Sequence, residues 1–187
     1  MKTLLYLFVV AFLVISGCAK DDALYVNPEN PELINKKESV PFEANLHAVN
    51  DLNSDLILIE GLDPEDPASY SHSRLLISGT ATHIGKLNPV KSYYTFEKLV
   101  FFMEDGQPFT LNSGTGCIVG ANGDVIEFTH EAKQSAIDGS YTGTINIIPG
   151  TGTGIFECCT GTIYSVGGWS EDGPGIWSIN EGYLVYE

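Results

Sequence analysis

Four histidines and four cysteines are the side chains of this 187-residue chain best suited to acid–base, nucleophilic or metal chemistry. Their spacing narrows the choice. His47, His72, His83 and His130 are scattered, no C-x-x-C pair is present, and no D-x-[DN]-x-[DN]-G loop occurs. No metal and no cofactor is therefore expected. His83, between Thr82 and Gly85, is the candidate ligand donor or acid–base group near neutral pH. The competing reading is a structural histidine bonded to a loop carbonyl. Glu127 is the second candidate. It stands three residues before His130, so a regular strand sends the two to opposite faces and makes them poor partners. Trp169 and Trp177 flank the polar segment 170–175, where aromatic faces stack on sugars or other flat ligands. With Tyr93, Tyr94 and Phe96 they form the expected recognition surface, against the alternative that the tryptophans cap one end of the fold. Cys117 follows a Gly-Thr-Gly run but lacks the flanking cations that would make a reactive thiolate. The glycines from Gly150 to Gly154 have no following lysine, as a phosphate loop would need. No catalytic set assembles from these residues.

The cysteines divide by position. Lys2 precedes an apolar run from Leu4 to Ile15, and Ser16-Gly17 leads into Cys18. The run is too short for a membrane span, which needs about 20 residues. This segment resembles the signal peptide and lipobox of bacterial lipoproteins. The resemblance implies cleavage before Cys18, acyl chains such as palmitate on Cys18, and a membrane as partner. Lys20-Asp21-Asp22 is similar to the export signature of outer-surface lipoproteins in some Gram-negative bacteria. The expected location is the outer membrane with the domain exposed at the cell surface, or alternatively facing the periplasm. An exported chain can carry disulfides, and Cys117 with Cys158 or Cys159 is the expected pair. Reduced, buried thiols are the alternative.

These side chains need elements to hold them. Residues 1–17 read as the signal peptide, 18–37 as lipidated cysteine and tether, and 38–187 as one domain. The tether holds Pro28, Pro31 and many polar residues, and would reach about 60 Å if extended. From Glu38 onward the pattern is period two. Val40, Phe42, Ala44, Leu46 and Ala48 alternate with polar neighbours, as do Leu75, Ile77, Gly79 and Ala81. Tyr141, Gly143, Ile145 and Ile147 share a face in the same way. Asn122-Gly123 marks a tight hairpin. Asn112 to Gly116 reads as a break between two short strands. No long stretch has helical period. Twenty glycines and turns roughly every ten residues predict an all-β fold, a single antiparallel barrel of about eight strands.

Four segments in order carry a further resemblance. They are Gly79-Thr80-Ala81-Thr82-His83-Ile84-Gly85-Lys86, Ala121-Asn122-Gly123-Asp124, Gly150-Thr151-Gly152-Thr153-Gly154-Ile155-Phe156 and Thr160-Gly161-Thr162. Together they resemble the allene oxide cyclase-like and dirigent-like barrels of the calycin type, over about residues 38–187. The resemblance implies the barrel fold. Cys158-Cys159 depart from it, standing where that group carries small residues, and no catalytic residue maps across.

Formal charge at pH 7 is −15. So acidic a body excludes nucleic acid as a partner, because phosphate binding needs clustered lysine and arginine. The expected function is an envelope-anchored binding domain for a small molecule, glycan or protein. The alternatives are a cyclase or isomerase acting on an apolar substrate in the lumen, with His83 or Glu127 pointing inward, and a structural envelope protein.

Overall fold

The computed structural model describes residues 38–170 and 175–186. The expected signal peptide, Cys18, the tether and residues 171–174 lie outside the described residues.

Most of the described residues are strand. They form β1 (Glu38–Asn50), β2 (Leu56–Leu58), β3 (Tyr70–His72), β4 (Arg74–Ala81), β5 (Gly85–Lys86), β6 (Tyr93–Glu104), β7 (Gln107–Val119), β8 (Val125–Ser135), β9 (Tyr141–Ile147), β10 (Cys159–Trp169) and β11 (Ile176–Tyr186). The sheet runs β1-β11-β10-β9-β8-β7-β6-β4-β5, and β4 pairs back onto β1. That last pairing closes the ring, with Ala44 opposite Ala81 and Asn50 opposite Leu75. The product is the antiparallel β-barrel expected from the alternation. Closure leaves β1 and β4 paired on both sides, so neither is an open edge. β2 and β3 form a separate small hairpin.

Closure makes one face of the ring's strands an interior. Phe42, Ala44, Leu75, Ile77, Ile126, Phe128, Ile145, Ile147, Ile163 and Leu184 are buried there. Each such large side chain contributes roughly 1.5–3 kcal/mol on leaving water. The ring and this core lie within one compact unit, Lys37–Glu187.

The barrel's two ends differ. Near the start of β8, Thr153 exchanges hydrogen bonds with Val125 at 3.0 and 3.1 Å. The 3-10 turn that follows, Gly154–Phe156, puts Phe156 wholly inside the core. That end is filled by side chains. The other end, where β8 finishes and β9 and β11 begin, is not.

Two sequence expectations need correcting. The segment Asn112 to Gly116 does not interrupt a strand, for β7 runs through it with unbroken pairing to β8. Cys117 and Cys159 are both free thiols, so Cys117 bridges neither Cys158 nor Cys159. Topology gives the reason. Cys117 sits on β7 and Cys159 on β10, three strand spacings apart and thus about 14 Å along the sheet. A bridge needs Cα atoms within about 7 Å.

Candidate functional site: one end of the barrel lumen

The unfilled end holds a cavity of about 80 Å³. Its wall is mainly apolar, with Leu46, Leu75, Ile77, Phe96, Ile145 and Ile176 prominent. Into that wall are set Tyr94, Asn112, His130, Gln134, Tyr141, Ser165, Ser178 and Asn180, and among the described residues no charged side chain lines it. An apolar cavity with a few inward polar groups is the usual build of a small-molecule site.

Each polar group is placed by strand parity. In β8, Ile126, Phe128 and His130 alternate with Glu127 and Thr129, so His130 inherits the inward face of its apolar neighbours. Its ring stands edge-on to Tyr94, with centroids 5.3 Å apart. Gly143, across the ladder on β9, leaves the room it needs. A Cβ there would come within 2.6 Å of His130 Nε2. Burial holds the imidazole's pKa down to about 4, so the ring is neutral at pH 7. Nε2 is buried and has no hydrogen-bond partner in the protein.

Tyr94 is shifted the other way. Burial raises its pKa above the ordinary phenol value, and the charges of Glu97 and Glu131 add to the rise. Its hydroxyl makes only long contacts, 3.5 Å to Asn112 Oδ1 and 3.4 Å to the His130 carbonyl. Asn180 is 1% exposed. Its Nδ2 donates to Ser178 Oγ at 3.0 Å and to the Ala44 carbonyl at 3.3 Å. Those two bonds fix the amide's orientation and leave Oδ1 buried without a partner. Tyr141 Oη and Ser165 Oγ pair with each other at 3.1 Å. Gln134 Nε2 donates to the Gly139 carbonyl at 3.1 Å.

The residues singled out from the sequence lie elsewhere. His83 sits in the turn after β4 at φ 65°, exposed, with Nε2 3.0 Å from the Pro41 carbonyl. Glu127 is exposed on the outer face of β8. Neither enters the lumen, which corrects the expectation that one of them would serve a reaction there. The turn at Thr82-His83-Ile84 ends the alternation that was meant to carry His83 inward. The tryptophans do not form one surface. Trp177 is on the outward face of β11, opposite His47. Trp169, opposite the cavity residue Ile176, has the inward parity and lies against Gly139 at the cavity's end of the barrel. Of the aromatic set around Tyr93, the structure brings Tyr94 and Phe96 into the cavity. The signal for His130 was its place in the Ile126, Phe128 series, and Asn180 follows Ser178 in the same manner on β11.

The thiols are not activated. Burial raises the Cys117 pKa, with Glu127 adding to it, and burial raises that of Cys159. A second, shallow depression on the outer wall is lined by Tyr164, Tyr183, Thr160, Thr162 and Asn146, but it is open to solvent. Among the described residues no group of three or more histidine, cysteine or acidic side chains is placed to hold a metal, and no helix is long and apolar enough to cross a membrane.

No protein-family model, no curated protein and no solved structure matches this chain.

Proposed function

We propose that this chain is a lipid-anchored envelope protein whose barrel binds a small, largely apolar molecule in its lumen. The anchor rests on the Leu13-Val14-Ile15-Ser16-Gly17-Cys18 segment, and display at the cell surface on Lys20-Asp21-Asp22. The kinship with allene oxide cyclase-like, calycin-type barrels is part of the same proposal and rests on the four Gly- and Thr-rich segments. The binding role rests on one observation above the rest, the cavity at the unfilled end of the barrel.

Binding is favoured over proton-transfer catalysis by the pKa pattern. A general acid or base works best with its pKa near the working pH. Here the imidazole of His130 is pushed down to about 4 and the phenol of Tyr94 is pushed up, so both are moved away from neutrality. A lumen cyclase or isomerase would have these two as its inward polar groups, which keeps it the second reading.

The protein, screened against neutral aromatic and aliphatic molecules by thermal unfolding, tests the binding role. A ligand at ten times its Kd stabilises by about 1.4 kcal/mol. Ala48, flanked by Ile77 and Ile176, lines the cavity. Ala48→Phe fills the space and removes the ligand-induced shift. Equal stabilisation of both proteins would show that ligands bind elsewhere.

A further inference from the structure

We propose that the lumen is built for a neutral ligand that presents a hydroxyl group, with Asn180 Oδ1 accepting from it and His130 Nε2 as the second polar contact. This rests on the lumen being a binding site, and it names the class of molecule the site takes.

The asparagine carries the argument. An amide in a cavity wall can usually turn either end toward a ligand. Asn180 cannot, because both its N–H donors are held, one by Ser178 Oγ and one by the Ala44 carbonyl. What remains is a buried acceptor with no protein donor. An unpaired buried acceptor costs about 1–3 kcal/mol, which a ligand donor relieves. The ligand must therefore bring an O–H or N–H.

His130 narrows this further. Its Nε2 is the other unpartnered buried atom of the cavity wall. A neutral imidazole nitrogen accepts or donates according to tautomer. A hydroxyl is a donor and an acceptor in one atom, so it suits either role. Tyr94, whose hydroxyl has only long contacts, offers a further donor.

Charge excludes the anionic alternatives. A carboxylate has no donor for Asn180 Oδ1 and finds no lysine or arginine among the described residues of the wall. Glu97 and Glu131 add a negative field at Tyr94, and the chain's formal charge is −15. Among the described residues, a cation would meet no lining carboxylate to pair with. The remaining wall is hydrocarbon, which fits the carbon skeleton of an alcohol or phenol. A cavity of about 150 Å³ takes a whole benzene ring. Here about 80 Å³ takes the hydroxyl-bearing part, with the rest in the mouth.

Phenol, toluene and benzoate separate the cases by size-matched chemistry. Their Kd values are measured by NMR titration on the protein and its Asn180→Leu variant at pH 7. The expected result is phenol binding, no benzoate binding, and a toluene-to-phenol Kd ratio that falls tenfold or more in Asn180→Leu. A direct readout needs no variant. In the unsubstituted protein, phenol shifts the side-chain amide resonances of Asn180 further than toluene does at equal occupancy. If toluene binds and the ratio is unchanged by Asn180→Leu, or phenol moves the Asn180 amide no further than toluene does, the hydroxyl assignment is overturned while the lumen remains a binding site. If none of the three binds, the binding role itself is overturned, and this assignment with it.

Discussion

His130 is where sequence, burial and charge meet most directly. Its alternation with Phe128 puts it in the lumen, and the lumen then keeps it neutral. The unfolded chain protonates this residue near pH 6.5 and the folded chain only near 4. Between those values the unfolded state holds more protons, so stability falls as pH drops below 6.5 and is fully present above it. Between pH 7 and pH 5 the loss amounts to about 2 kcal/mol. His130→Gln removes that part of the pH dependence, as urea unfolding at the two pH values would reveal. An identical slope in the variant would mean that another group supplies it. Asn180 acts differently, since it has no charge to lose. Its contribution to binding appears as selectivity.

At the scale of elements, glycines make the lumen. Gly143 clears the position that the His130 ring occupies. Gly143→Ala should cost about 2 kcal/mol and move the His130 ring resonances in an NMR spectrum, because the new methyl must displace the imidazole or the backbone. Gly79 serves closure instead. It has φ +132°, and a Cβ there would collide with the Asn45 carbonyl on β1. Gly79→Ala is expected to cost about 3 kcal/mol or more, read from the denaturant midpoint, because it strikes the β1–β4 seam. An unchanged midpoint would contradict the importance of that seam.

The same elements show what the sequence made legible. Leu75, Ile77 and Ala81, and likewise Tyr141, Ile145 and Ile147, announced their inward faces because period two survives any detail of strand ends. The segment Asn112 to Gly116 misled, because serine, threonine and glycine there suit a turn as well as a strand with large neighbours. The site was hidden for a related reason. His83 and Glu127 drew notice as isolated chemical groups, whereas His130 and Asn180 are defined by what faces them across the lumen. That depends on closure, which no local pattern specifies.

On the scale of the whole molecule, two separate features set where the protein sits and what it holds. The first is the anchor, outside the described residues. Cys18→Ser should abolish labelling by radioactive palmitate and shift the protein from the membrane to the soluble fraction. Retention of both would refute lipidation at that cysteine. The second is a barrel filled at one end by Phe156 and its neighbours and open at the other around His130 and Asn180. An acidic exterior with an uncharged interior suits a carrier or sensor of neutral molecules.

Isoleucine methyl groups test that second feature most directly, since they report from both ends of the barrel. Ile77, Ile145 and Ile176 line the cavity, while Ile118 and Ile126 lie in the core and Ile179 faces outward. Titrating phenol into the methyl-labelled protein should shift Ile77, Ile145 and Ile176 saturably and leave Ile118, Ile126 and Ile179 unmoved. Shifts confined to Ile179, or no saturable shift in any methyl, would contradict a binding site in the lumen.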